Sequence, residues 1–205
     1  MRKLILKMSI SLDGFVAGPK GEADWIFRNR GADSTEWIVS TLRQAGAHAM
    51  GSRTYHDMAA FWPGSDTPFT KPMNDIPKIV FTRKGIQSGG RADSPPRSFA
   101  DAKVTPTAAV LQSWAEPTVA RGELALEVAR LKEQPGNFIL AHGGASFAQS
   151  LAASGLIDEY QLLVHPVALG RGLPLFSELP HPLRLHVVSR TSFSSGAVGT
   201  VCRPE

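Results

Sequence analysis

Apolar residues come in short blocks separated by polar and glycine breaks. Leu4 to Ile10 forms the first block and reads as a strand, with Lys7 and Ser9 as its polar positions. Ser11 to Gly21 follows as a glycine-punctuated loop. At Asp33 the period changes: Asp33 at the N-cap, Glu36 three residues on, and Trp37, Ile38 and Leu42 on one face predict a helix. Ala47 to Met50 and Ile79 to Phe81 are short strands. The first ends at Gly51 and leads into a helix over 53–60. Residues 85–120, rich in Gly, Pro and Ser, predict surface loops with at most short strands. A helix over 121–134 carries Leu124, Val128 and Leu131 at helical spacing and stops at Pro135-Gly136. Asn137 to Ala141 is a strand, and the glycine turn after it opens a helix over Ser146 to Ala153. Ile157 to Ala168, Leu183 to Arg190 and Ala197 to Arg203 then read as three strands without long helices between them. Alternating strands and helices followed by a strand-rich tail predict an α/β chain. Its central mixed sheet is mostly parallel, with antiparallel C-terminal strands and helices on both faces.

Composition adds limits. The 205 residues, 42% of them hydrophobic, suit one core and one domain over 1–205. The net charge of +4 suits an anionic ligand. The basic residues are scattered rather than clustered, which disfavours nucleic acid as the partner. The single cysteine, Cys202, forms no internal disulfide and no zinc framework, so a cytoplasmic setting is expected. The six histidines show no metal-ligand spacing. The short N-terminal apolar stretch, broken by Lys7, suits neither a signal peptide nor a membrane span.

Candidate chemistry gathers where strands end. Gly143-Gly144-Ala145-Ser146 joins a strand to a helix, a geometry that offers backbone N–H groups to phosphate. Gly51-Ser52-Arg53-Thr54 and Thr82-Arg83-Lys84 end two further strands. In open α/β sheets ligands bind at such carboxyl ends. The cations Arg53, Arg83 and Lys84 suit the 2′-phosphate of NADP, although each also reads as a solvated surface charge. Asp13-Gly14 is a turn followed by the apolar Phe15-Val16-Ala17, which could cover a flat ring. Trp25 could stack on a substrate or sit in the core. Lys7, Asp13, Asp24 and Asp33 are candidate proton sources, with an outward strand position the alternative for Lys7 and an N-cap for Asp33. His142, directly before the glycine pair, reads as a catalytic or a structural histidine.

Taken together, these segments resemble the dihydrofolate reductase superfamily. Lys7, Ser11-Leu12-Asp13-Gly14, Asp24-Trp25-Ile26, Met50 through Tyr55, Gly143-Gly144 and Leu156-Ile157-Asp158-Glu159 recur there in the same order. The run Leu156 to Tyr160, His165-Pro166-Val167 and Leu169 to Phe176 is similar to the branch holding the reductase domain of the bifunctional riboflavin-biosynthesis deaminase–reductase. The resemblance spans essentially the whole chain. It implies a dihydrofolate-reductase-like three-layer fold, NADPH as hydride donor, a pterin- or pyrimidine-like substrate, and a homodimer; with the strand-end residues, the leading reading widens the substrate to a pterin-, pyrimidine- or imine/carbonyl-type molecule. It places Val16 and Ala17 at the nicotinamide and Gly51, Ser52, Arg53 and Thr54 at the phosphates. Thr82, Arg83 and Lys84 fall near the 2′-phosphate, and Gly143 to Ser146 at the pyrophosphate. Lys7 matches a strand lysine of that branch, and Asp33 is the nearest equivalent of the substrate-binding acid. His142 stands where the branch has Glu. A nucleotide-binding or sensor protein without turnover is the alternative reading.

Overall fold

The computed structural model describes residues 1–28, 31–83, 85–86 and 104–205. Its centre is an eight-stranded sheet in the order β5-β4-β3-β6-β1-β7-β10-β9. The strands are β1 (Leu4–Ser11), β3 (Ala47–Gly51), β4 (Lys78–Phe81), β5 (Thr118–Ala120), β6 (Ile139–Ala141), β7 (Glu159–His165), β9 (Leu185–Ser192) and β10 (Val198–Pro204). The six strands from β5 to β7 run parallel. Strand β10 is antiparallel to both β7 and β9. Two short strands, β2 (Phe15–Ala17) and β8 (Leu173–Pro174), pair separately.

Helices α2 (Ala32–Gln44), α3 (Ser52–Phe61), α4 (Thr70–Asp75) and α5 (Ala108–Ala115) contribute to a core beneath one face. There Ile5, Met50, Val80 and Leu140 meet Val39, Leu42, Tyr55, Met73 and Trp114. On the other face α6 (Leu124–Glu133) and α7 (Ala145–Ala153) bring Val128, Leu131, Ala148 and Leu151 onto Leu4, Leu6, Ile139 and Ala141. The alternation along β1 is that of a strand buried on both sides. A short helix α1 (Trp25–Arg28) precedes α2.

The mixed sheet and its antiparallel tail agree with the sequence reading. Three local expectations are corrected. Residues 104–120 hold α5 and β5: Thr107 caps α5 by accepting from the Val110 amide, a signal hidden in a Pro- and Thr-rich run. The loop after β1 holds β2, whose partner β8 lies far along the chain. The N-cap of α2 is Gly31 rather than Asp33. The Ser34 hydroxyl closes that first turn on the Gly31 backbone, while the Asp33 carboxylate accepts from the Ser34 and Ser194 amides, at 2.8 and 2.7 Å.

Two acids of the Leu156–Glu159 run are cross-links. Asp158 accepts from the Leu4 amide at 2.6 Å and pairs with Lys132 at 2.7 Å. Glu159, buried in β7, pairs with Arg203 of β10 at 2.9 Å.

Candidate active site

The parallel register brings the expected strand ends to one rim. Gly51 of β3 pairs with Phe81 of β4, and Ala49 of β3 with Ala141 of β6. The turn after β6 therefore lies beside the turn after β3. Helices α3 and α7 start at these turns, with Gly51 and Gly144 as N-caps, and neither first turn has a side-chain cap. By contrast, Thr107 caps α5 and Glu123 caps α6. Two uncapped N-termini side by side present backbone N–H groups and the positive ends of two helix dipoles. The Gly144 amide donates to Thr54 Oγ1 at 2.7 Å, which ties the two turns together.

Gly143 is required by its backbone, and both it and Gly144 are closely approached by side chains. Gly143 has φ +91°, and a Cβ on it would stand 2.9 Å from Met8 Cε. A Cβ on Gly144 would stand 3.0 Å from Thr54 Oγ1. The first turns of α3 and α7, which have no side-chain cap, fit an anion such as a pyrophosphate. Ala145 and Ser146 form the first turn of α7. Thr82 and the exposed Arg83 follow β4 on the same rim, and the Phe81 ring lies 4.9 Å from that of Phe147 in α7. Ser52 and Arg53 open α3. Lys84 lies outside the described residues.

Next to this rim, under α2, α3 and α4, lies a cavity of about 220 Å³. Its walls include Phe27, Leu42, Met58, Trp62, Phe69 and Met73, and its polar side chains are Lys7, Ser9 and His142. Lys7 points inward rather than to solvent. It is 8% exposed, and its ammonium has no hydrogen-bond partner among the described residues. The ammonium sits 3.4 Å from the centroid of the Trp37 ring, which supplies a cation–π contact in place of water. Burial pushes the Lys7 pKa well below the usual lysine range.

His142 is held by a second histidine. Its Nε2 lies 2.8 Å from Nδ1 of His48, and Nε2 of His48 lies 3.0 Å from the Pro72 carbonyl. A carbonyl only accepts, so His48 carries its proton on Nε2 and offers Nδ1 as an acceptor. His142 must then donate from Nε2, which leaves its own Nδ1 as a lone pair. Burial is the main force keeping both rings neutral. It pushes His48 down to about 4, and His142, with Lys7 and His48 adding repulsion, well below its ordinary value. The sequence reading singled out His142 without His48, which lies 94 positions away.

The other expected site residues lie outside the cavity lining. The Asp13 carboxylate accepts from the Ser11 hydroxyl at 2.6 Å and from the Leu169 and Gly170 amides at 3.1 and 2.7 Å. Chiefly the Ser11 bond, with those amides, holds its pKa down at about 2. It staples the β1–β2 turn to the loop before β8. Val16 and Ala17 are buried in β2. The Trp25 ring meets the His165 ring edge-on at 5.3 Å, and His165 Nε2 lies 3.1 Å from Ser9 Oγ, so Trp25 stands behind the cavity wall. Asp33 is spent on the backbone bonds described above. Trp37, read only as a core position of a helix, proves to be the partner of Lys7.

The profile of the RibD C-terminal domain family matches residues 2–198. The chain belongs to that family. A Bacillus subtilis protein of uncharacterised function, YyaP, is 28% identical over 98% of this chain and 94% of its own. Among solved structures, a putative riboflavin biosynthesis protein from Shewanella sp. PV-4 superposes with a TM-score of 0.71, at 21% identity and 99% coverage of both chains. The Thermotoga maritima diaminohydroxyphosphoribosylaminopyrimidine deaminase/5-amino-6-(5-phosphoribosylamino)uracil reductase superposes with a TM-score of 0.69 at 19% identity, over all of this chain and 57% of that one. The RibD C-terminal fold is thus the one described above, and its rim carries the uncapped helix starts. Among the described residues no helix is long and apolar enough to cross a membrane.

Proposed function

We propose that this RibD C-terminal domain protein is an NADPH-dependent reductase that acts on a small pterin-, pyrimidine- or imine/carbonyl-type substrate. The observation that carries the reading is buried Lys7, its ammonium without a hydrogen-bond partner among the described residues, in the lining of a cavity beside two uncapped helix N-termini on one sheet rim. Gly143, Gly144, Ala145 and Ser146, with Gly51, Ser52, Arg53 and Thr54, would hold the pyrophosphate. Thr82 and Arg83 would meet the adenosine end, and Val16 and Ala17 would border the nicotinamide. When bound, NADPH supplies the hydride.

The chain's own groups supply the rest. Reduction of a C=N or C=O bond places negative charge on the heteroatom, and the Lys7 Nζ–H is the available donor to that atom. Its lowered pKa makes it a stronger acid than a solvated lysine, which favours proton transfer as the charge develops. The apolar walls exclude water, so one hydrogen bond from Lys7 acts in a low dielectric. Neutral His142, fixed by His48, stands in the same wall. Asp13 is assigned to holding the loops together.

We assign the protein to the cytosol as a homodimer. The edge strand β9 is exposed along most of its length, with Val187 and Val188 at 45% and 44% exposure. A long exposed edge of this kind is ordinarily covered. Light scattering tests this directly.

The reductase reading is tested by thermal shift and turnover. NADPH raises the melting temperature more than NADH does, Arg83→Ala narrows that difference, and NADPH is oxidised with at least one substrate of the three classes. Equal shifts from both nucleotides, before and after the substitution, overturn the NADP assignment. NADPH binding with no turnover across the panel favours a sensor.

A further inference from the structure

Resting on the reductase reading, we propose that the substrate of this chain is a compact, uncharged, unphosphorylated molecule: one ring with a short substituent, mostly hydrocarbon, presenting a single strong acceptor atom to Lys7. The walls of the cavity carry the inference. Apart from Lys7, Ser9 and His142 they are apolar, with the aromatic rings of Phe27, Trp62 and Phe69 facing a space that Met58 and Met73 also border. Aromatic walls suit a flat ring, and methionines adapt to an irregular outline.

Size agrees with this. A dry protein cavity of about 150 Å³ holds one benzene. The 220 Å³ here therefore admits one ring with a few further atoms. The space is open on one side, so a sugar phosphate on that ring would have to lie beyond these apolar walls.

Charge agrees independently. A phosphate dianion needs several N–H donors or cations. Among the described residues lining the cavity, Lys7 is the one cation. His142 cannot readily become a second, because its Nε2–H is committed to His48, its ring is buried, and the charge of Lys7 opposes added charge on it. The uncapped helix N-termini belong to the glycine rim and serve the dinucleotide. A phosphate pressed against Leu42, Met58 and Met73 would lose its hydration without recompense. One buried, unsatisfied ammonium instead matches one carbonyl oxygen or imine nitrogen.

The test uses the whole chain saturated with NADP⁺, to read binding, and with NADPH, to read turnover. The neutral probes are acetophenone, 2-cyclohexenone and 2-phenyl-1-pyrroline. The phosphorylated probe is a ribosylaminopyrimidine 5′-phosphate. The expected result is saturable binding of at least one neutral probe by calorimetry, at least tenfold tighter than the phosphorylated one. Lys7→Met should weaken that binding at least tenfold while the NADPH thermal shift persists. Should Lys7→Met not fold, the comparison between probes on the natural chain decides alone. Tighter binding or faster turnover of the phosphorylated probe overturns the proposal and leaves the reductase reading standing. Failure of every neutral probe also overturns it. Absence of any NADPH shift removes the reductase reading, and the proposal with it.

Discussion

The His48–His142 pair makes the natural chain sensitive to acid in a way that one substitution removes. His48 is fully buried, and burial lowers its pKa from 6.5 to about 4. Between those values the unfolded chain takes up a proton that the folded chain refuses. Stability is therefore intact above about pH 6.5 and falls as the pH drops toward 4. At about 1.4 kcal/mol per pH unit, that window removes roughly 3 kcal/mol from one residue. His48→Gln separates this effect from the carboxylates. The Gln amide N–H can donate to the Pro72 carbonyl and its oxygen can accept from His142, so both bonds persist while the titrating ring is gone. Urea unfolding followed by tryptophan fluorescence should show the natural protein losing about 3 kcal/mol more than the variant between pH 7 and pH 4. The other titrating groups are common to both chains, and His142, relieved in the variant of the repulsion from His48, changes in the direction that adds to the difference. Parallel stability curves would refute the reasoning, because they would mean that His48 takes up its proton equally in both states.

Three further outcomes follow from single contacts. Gly172→Ala places a Cβ 2.2 Å from the Ala17 carbonyl oxygen, so β8 must move off β2; urea unfolding should show a loss of about 2 kcal/mol. Thr54→Val removes the acceptor of the Gly144 amide, at a cost of about 1 kcal/mol in the same assay, and it weakens the NADPH thermal shift because the two turns are no longer tied. Arg203→Leu leaves the buried Glu159 with Gln161 as its remaining hydrogen-bond donor. That change should cost about 2 kcal/mol in the same assay.

Periodicity predicted well wherever local burial dictated the pattern. Strands β1, β3, β4, β6 and β7 and the helices α2, α3, α6 and α7 fell near their expected places, because each is apolar on the faces it buries. The elements it missed depend on partners elsewhere in the chain. Strand β2 exists because Phe15 and Ala17 find Pro174 and Leu173. Helix α5 is anchored by Trp114, whose indole N–H donates to Asn74 Oδ1 at 2.8 Å, and by Ser113, which bonds the Asn74 carbonyl at 2.6 Å. Nothing within residues 104–120 announces those contacts.

The site divides in the same way. The rim proposed to hold the pyrophosphate was legible because each of its parts is local: a strand end, a glycine, a helix start. The cavity was not, because its chemistry comes from side chains that only the register brings together. Lys7, two residues from Ile5, shares its face of β1, which turns it toward α2, where Trp37 and not solvent receives it. His48 and His142 meet because β3 and β6 pair with Ala49 opposite Ala141, so one residue beyond β6 lands on the His48 ring. In the branch this chain resembles, a glutamate holds the position of His142. A carboxylate there could only accept, whereas His142 donates to His48, which in turn donates to Pro72. The imidazole at 142 and the imidazole at 48 thus form one hydrogen-bonding unit, and the pair keeps neutral a wall that a glutamate would make anionic beside Lys7. A neutral wall leaves the Trp37 ring as the contact of the Lys7 ammonium, so its N–H groups stay free for the acceptor atom proposed above.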